Sequence, residues 1–303
     1  ALVQEGKSQG VFKVQKLFTS LGLGRTETLK VVCGDIIAIA GIPALSIGQT
    51  VTDPGVLESL PVIKVDDPII KISIGPNTSP LAGREGKFCT SRQIKERLLK
   101  EKETNLGLKI EEEGAGFTVC GRGELHLAVL IEMMRREGFE LQVSKPEVIY
   151  KTLENIVCEP YEEITLDAHK DYIGAITEEL SLRKAQMVDM TTVKENDIRI
   201  VYKISSQNLI GIRNRLLIKT KGTAVINTYF LGYFPKGERM GFSRNGALIA
   251  IKPGVSLSFG LSNAQERGFL FIGPGEDVYE GMVVGLSQRE DDIEVNVCKA
   301  KKQ

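Results

Sequence analysis

The sequence predicts an α+β multidomain protein: part of a β-barrel, two ferredoxin-like (split βαβ) domains in tandem, and a β-rich C-terminal domain. Three observations carry this reading. The order β-α-β-β-α-β is legible twice in succession. Strand-patterned stretches punctuated by glycine, of which the chain has 31, flank the pair. The length of 303 residues leaves room for two to four domains of ~100–200 residues each.

Residues 1–64 read as β-barrel, truncated at its start. Val11–Phe18 alternates as a half-buried strand does, and 31–33 and 36–40 are further strands between glycines at 22, 24, 34, 41 and 48. Residues 65–145 carry the first ferredoxin-like order. Ile69–Ile74 is a strand, and Thr90 with Gln93 makes a capping box for a helix that turns Ile94, Leu98 and Leu99 inward. Residues 106–110 and 117–120 are strands. A second helix from about Gly123 to Arg136 carries Leu127, Leu130, Ile131 and Met134 on one face, Gly138 stops it, and 139–143 closes the unit.

Residues 146–230 repeat the order without repeating the sequence. Glu163–Asp167 is a strand and Asp171 caps a helix bearing Ile173, Ile176 and Leu180. Strands 186–192 and 198–204 follow, joined by a polar turn at 194–197. A helix with the stripe Leu209, Ile212 and Leu216 ends at Gly222, and 224–230 is the last strand. Residues 231–303 are β-like, with strands near 247–251, 255–261, 268–272 and 282–286.

Composition narrows the function classes. No apolar run approaches the ~20 residues of a membrane helix, which suggests a cytoplasmic protein without a membrane partner. Tryptophan is absent and aromatics are 6%, which disfavours carbohydrate stacking. The five cysteines (33, 89, 120, 158 and 298) are odd in number and scattered, and two histidines cannot build a His-rich metal site. Gly83-Arg84-Glu85-Gly86-Lys87-Phe88 superficially suggests a P-loop, but the spacing is GxxGK and a Phe stands where magnesium needs Ser or Thr. Gly114-Ala115-Gly116 lacks the third glycine of GxGxxG. Cys89 and His126 could form a nucleophile pair only without an orienting third residue. No catalytic residue, cofactor or metal ligand is therefore assigned, and a hydrolase using Cys89 stands as an alternative.

The charge map is more informative. Net charge is zero, from 39 basic and 39 acidic residues, so any nucleic-acid surface must be local. Six basic residues against two acidic ones lie between Gly83 and Lys100, including Arg84, Lys87 and Arg92. Arg213, Arg215, Lys219 and Lys221 crowd the last ferredoxin-like helix. Lys236, Arg239 and Arg244 sit among glycines, and Lys299, Lys301 and Lys302 end the chain. An isolated basic run is usually a solvated face. Four runs on turns and helix faces favour RNA phosphates, bound with release of counterions. RRM-type stacking is the weaker reading, because strand 117–120 has one aromatic. A protein-interaction scaffold without RNA binding is the other alternative.

Longer motifs carry a resemblance. Gly121-Arg122-Gly123-Glu124-Leu125-His126-Leu127 followed by Met134-Arg135-Arg136-Glu137-Gly138-Phe139-Glu140 resembles the third domain of the elongation-factor-G class of translational GTPases. Asn77-Thr78-Ser79-Pro80, Gly83–Phe88 and Thr90-Ser91-Arg92 resemble the BipA/TypA branch, as do Leu209–Arg213 and Gly273–Met282, the last in that branch's special C-terminal domain. The sequence departs at Ser206-Gln207-Asn208, where that branch has Ser-Arg-Gly. The resemblance covers essentially the whole chain. It implies domain II at 1–64, domain III at 65–145, domain V at 146–230 and the BipA-specific domain at 231–303, preceded in the intact protein by a GTPase domain that uses GTP and magnesium. It implies no GTP hydrolysis in this stretch. It also implies a monomer that docks on the bacterial ribosome, touching rRNA of both subunits and the A-site tRNA.

Overall fold

The computed structural model describes residues 2–4, 7–42, 45–56, 58–61, 65, 67–114, 116–237, 246–289 and 291–301. The chain divides into two compact units, one of residues 1–78 with 82–236, the other of 237–303 with 79–81. No described helix is long and apolar enough to cross a membrane.

The first stretch contains β1 (Leu2–Gln4), β2 (Lys7–Gly10), β3 (Lys16–Leu21), β4 (Gly24–Thr28), β5 (Ile37–Ala40) and β6 (Thr50–Val51). They form two three-stranded sheets, β2-β1-β6 and β4-β3-β5, and no closed barrel among the described residues. The strand expected from Val11 starts only at Lys16, because Val11 points into solvent at 67% exposure. After β2 the backbone pairs again where Gln15 N–H donates to the Ala40 carbonyl. The strand expected at 31–33 is instead a turn. Val32 N–H donates to Asp35 Oδ2 and Asp35 N–H to the Val32 carbonyl, and such local bonds outcompete a ladder.

The next sheet is ferredoxin-like in order. It comprises β7 (Ile70–Pro76), β8 (Lys109–Glu113), β9 (Gly116–Gly121) and β10 (Leu141–Val143), with β11 (Glu147–Val148) also pairing with β7. The order β10-β7-β9-β8 is antiparallel throughout. Helices α1 (Ser91–Thr104) and α2 (Glu124–Glu137) supply the other layer. The Thr90–Gln93 capping box forms, satisfying orphan N–H groups at the start of α1. Ile94 and Leu98 are buried, but Leu99 is 45% exposed, because the helix turns only a narrow stripe inward. The strand expected from Leu106 begins at Lys109, since Asn105–Leu108 form a turn. Gly138 ends α2 at φ 93°, a left-handed conformation that costs glycine little.

The second ferredoxin-like unit has β12 (Lys151–Leu153), β13 (Ile156–His169), β14 (Gln186–Lys194), β15 (Asp197–Ser205) and β16 (Val225–Pro235). β13 pairs with β15 and β16, and β14 is the outer partner of β15. Asp171 does not cap the helix as expected. His169 Nδ1 accepts from Asp171 N–H ahead of a 3-10 turn at Lys170–Tyr172, and α3 (Ile173–Leu182) follows. The single helix expected from Leu209 is two, α4 (Ser206–Leu209) and α5 (Ile212–Lys219), broken where Gly211 takes φ 72°. Ile164, Leu166, Ile176, Leu180, Ile200 and Leu216 fill this core at 0% exposure.

The second unit contains β17 (Ala247–Ala250), β18 (Gly254–Val255), α6 (Ser258–Gln265), β19 (Gly268–Leu270), β20 (Asp277–Val278), β21 (Val283–Ser287) and β22 (Ile293–Val295). Its four-stranded sheet runs β19-β21-β17-β22, with β17 and β22 parallel. The expected strand at 255–261 is largely α6. Val255–Leu261 alternates apolar and polar, yet the residues actually buried are Gly260, Leu261 and Ala264, a helical spacing. Gly260 lets the helix lie directly on the Val297 backbone.

A matched pair of substitutions checks this packing. In Gly260→Ala the new Cβ meets the Val297 carbonyl group, and overpacking of this kind costs ~1–3 kcal/mol. Gly174→Ala in α3 meets nothing within 4 Å and should stabilise by about 0.5 kcal/mol through helix propensity. Thermal unfolding of both variants should move in opposite directions.

Candidate nucleic-acid interface

The Gly83–Phe88 loop is built around a carboxylate. Residues 87–88 lie along 138–140, with Lys87 and Phe88 N–H donating to the Gly138 carbonyl and Glu140 N–H to the Phe88 carbonyl. The Phe88 and Phe139 rings pack tilted at 36°, their centroids 4.8 Å apart. Glu140 Oε1 accepts from Gly83 N–H at 2.8 Å and Asn77 Nδ2 at 2.7 Å, while Oε2 accepts from Gly86 N–H at 3.0 Å and Glu85 N–H at 3.3 Å. The Gly83 and Gly86 amides chiefly pull its pKa down, to about 2. The stretch is thus an anion nest already filled by the chain's own carboxylate. Its tip presents Arg84 and Lys87, both exposed.

Arg92 and Arg97 of this region are tied to acids. Arg92 pairs with Glu96 at 3.0 Å on an exposed helix face. Arg97 forks onto Glu137 at 2.6 and 2.7 Å and reaches Glu101 at 2.9 Å. Glu137 raises its pKa most, and Arg97 fastens α1 to the end of α2. Cys89 Sγ donates to the Gly86 carbonyl, and His126 is engaged by Asn105. The two groups have separate partners.

On α5 the four basic residues divide. Glu179 of α3, only 4% exposed, lies 3.1 Å from Lys219, 3.3 Å from Arg183 and 3.7 Å from Arg215. Burial raises its pKa, and the three cations together outweigh that and lower it. Lys219 and Arg215 are thus partly engaged in compensating a buried charge. Arg213 donates to the Ile226 carbonyl at 3.3 Å and is otherwise exposed, and Lys221 is exposed at φ 52°.

Lys236 is exposed, with its ammonium 4.7 Å from the Tyr150 ring. In the second unit Lys299 stands 5.9 Å from the Phe259 ring, and Lys301 is exposed. Arg239, Arg244 and Lys302 lie outside the described residues.

Two further features escaped the sequence. The stretches Gly121–Leu127 and Leu209–Arg213 meet in space, where Gly211 N–H donates to Glu124 Oε2 at 3.1 Å. The Arg183 guanidinium, 4% exposed, donates to the Asn208 and Ile210 carbonyls at 2.7 and 3.0 Å. Asn208, the departure from the Ser-Arg-Gly pattern, is itself buried and donates to the Arg183 carbonyl at 3.2 Å. The only sequence signal for this network was the Glu179–Arg183 i,i+4 spacing.

Comparison with known proteins matches residues 156–240 to the elongation factor G C-terminus and residues 245–303 to the TypA/BipA C-terminal domain. The chain is 43% identical to a large ribosomal subunit assembly factor BipA of Synechocystis sp. over 99% of its own length and 51% of that protein. It is 40% identical to the Bacillus subtilis protein of the same name, over 96% of this chain and 48% of that one. For the Salmonella typhimurium protein the figures are 43%, 98% and 49%. The chain spans about half the length of these relatives.

The Glu140 clamp has a pH signature. Its folded-state pKa lies below the ordinary 4.5, at about 2, so its contribution is full above ~4.5 and is lost as pH falls through about 2. Amide exchange at Gly83 and Gly86 should accelerate across that window relative to the helices. Glu140→Gln should accelerate it at neutral pH, because half of the amide end repels N–H donors. Protection unchanged in the variant would mean the loop is held by 87–88 alone.

Proposed function

We propose that this chain, which belongs to the BipA/TypA family, acts as the RNA-gripping part of a ribosome-associated translational GTPase. The observation that carries the proposal is the Glu140-clamped loop, which holds Arg84 and Lys87 outward on a backbone with little freedom left to lose. Long cations on a fixed backbone reach phosphates at small entropic cost, and each phosphate neutralised releases counterions. Arg92, Arg213, Lys221, Lys236, Lys299 and Lys301 supply further contacts, with Arg215 and Lys219 contributing what Glu179 leaves them. The relatives' printed names, large ribosomal subunit assembly factors, support ribosomal RNA as the ligand.

In this reading residues 1–64 correspond to domain II, 65–145 to domain III, 146–230 to domain V and 231–303 to the special C-terminal domain. The first three meet rRNA of both ribosomal subunits, and the last approaches the A-site tRNA. The protein works as a monomer in the cytoplasm. These residues bind, while GTP and magnesium belong to the GTPase domain of the intact family protein. Weak modules joined in one chain gain avidity by raising one another's effective concentration. The alternative favoured by a specific observation is protein contact through the second unit, where Phe269 and Phe271 stand 70% and 55% exposed.

Ribosome co-sedimentation across a potassium chloride series tests the proposal. Arg84→Ala with Lys87→Ala should lower the salt slope by ~0.7–0.9 per lost phosphate contact and leave unfolding within ~0.5 kcal/mol. Arg97→Ala should do the reverse, lowering stability without changing the slope. A double variant with an unaltered slope removes this loop from the interface.

A further inference from the structure

Where α2 begins and α4 breaks into α5, the first unit contains a crevice of about 380 Å³, within the ~300–1,000 Å³ range of small-molecule sites. Its walls are mixed, with the apolar Leu125, Leu209 and Ile210 beside Arg122, Glu124 and Arg213, and its floor is polar. Glu162 lies there at 8% exposure, and burial raises its pKa against the opposing pull of the Ser206 and Thr228 hydroxyls beside it. Ser206 is wholly buried, and its Oγ has no hydrogen bond of good geometry. A fully desolvated hydroxyl without a good partner is costly, and such groups call for an explanation. At the rim Arg213 is fixed by its bond to the Ile226 carbonyl, with other guanidinium donors left over, and Arg122 is exposed on the opposite element.

We propose that this crevice binds one nucleotide, with the base between Leu125 and Ile210, its N–H edge on Glu162 and Ser206, and its phosphate on Arg213 and Arg122. The chemistry is that of the lining. Apolar walls accept a π-face, a carboxylate accepts from ring N–H and amino donors, and a hydroxyl can give or take a bond. Arg supplies a two-pronged donor to phosphate. Recognition of unstacked RNA bases uses these contacts. The ligand is a nucleotide whether free or carried on an RNA strand. The strand-borne case rests on the RNA reading given above, whereas the free-nucleotide case does not.

The absence of tryptophan makes a clean assay available. Leu125 is 68% exposed at the mouth, so Leu125→Trp places a single reporter there. This chain is titrated with adenosine and guanosine monophosphate, with a single-stranded RNA hexamer, and with the same hexamer made abasic. Emission should change with the base-bearing ligands and not with the abasic strand. Arg213→Ala should weaken binding about tenfold, as loss of a charged hydrogen bond does, and Ser206→Ala about fivefold. A response to mononucleotides assigns a free-nucleotide site, and a response to the hexamer alone assigns a strand-borne base. To guard against the reporter filling the crevice, the chain without it is titrated with a hexamer carrying 2-aminopurine. No response in either format, or an abasic strand equal to the intact one, overturns the proposal. Ribosome co-sedimentation run in parallel keeps the readings apart. If the chain fails to sediment but responds to mononucleotides, only the ribosome reading falls.

Discussion

A guanidinium withdrawn from water must have its donors matched, and Arg183 meets that demand by dictating the structure around it. Its partners are Glu179 one helical turn earlier and the carbonyls of Asn208 and Ile210. Those carbonyls end α4 and so have no partner inside the helix. Turning both toward one cation forces the chain to break at Ile210-Gly211, where glycine alone takes φ 72° at little cost. The break frees Gly211 N–H, which finds Glu124 at the start of α2. A buried ion pair in one ferredoxin-like unit is thereby linked, bond by bond, to the helix entrance of the other. Such pairs add little net stability, since desolvation offsets attraction, but removing one partner strands a charge. Their value here lies in specifying which backbone groups meet.

Glu140 applies the same logic with opposite charge. Three backbone N–H groups and one side-chain amide converge on a carboxylate, and a loop that composition would leave mobile acquires a fixed form. In both places an ion organises irregular backbone between regular elements, and Arg84 and Lys87 stand on the first of these stretches, with Arg213 beside the second. A cation on a fixed loop loses less entropy on binding than one on a free chain.

What was legible in the sequence follows from this. Both β-α-β-β-α-β orders were readable because their cores are periodic: Ile94 and Leu98, Leu127 and Met134, Ile176 and Leu180 recur at helical spacing and are buried. The capping box at Thr90 and the stop at Gly138 were readable because they are local chemistry. The division of β1–β6 into two three-stranded sheets, the α4–α5 break and α6 were not. The first depends on long-range pairing and the second on a cation 27 residues away from Ile210. For α6, Val255–Leu261 satisfies both periods, and contact with the Val297 backbone decides between them. The family motifs singled out stretches of sequence without giving their geometry. Nothing in Gly121–Leu127 or Leu209–Arg213 taken separately announces that the two stretches touch.

The zero net charge then takes on a structural meaning. A chain with equal numbers of acids and bases gains no long-range attraction to RNA from its total charge. It can still present a local field if its acids neutralise particular bases and leave others outward. Arg97 is consumed by Glu137 and Glu101, Arg183 is buried with Glu179, and Lys219 is shared with Glu178 and Glu179. The cations so consumed stand between helices, where they fix geometry. Lys87 and Lys221 stand exposed on a loop and at a helix end, where a phosphate can reach them. Because salt screens exposed charges far more than buried ones, raising ionic strength weakens the outward set while the inward set keeps the fold. Binding can therefore be strongly salt-dependent in a protein whose folded structure is not.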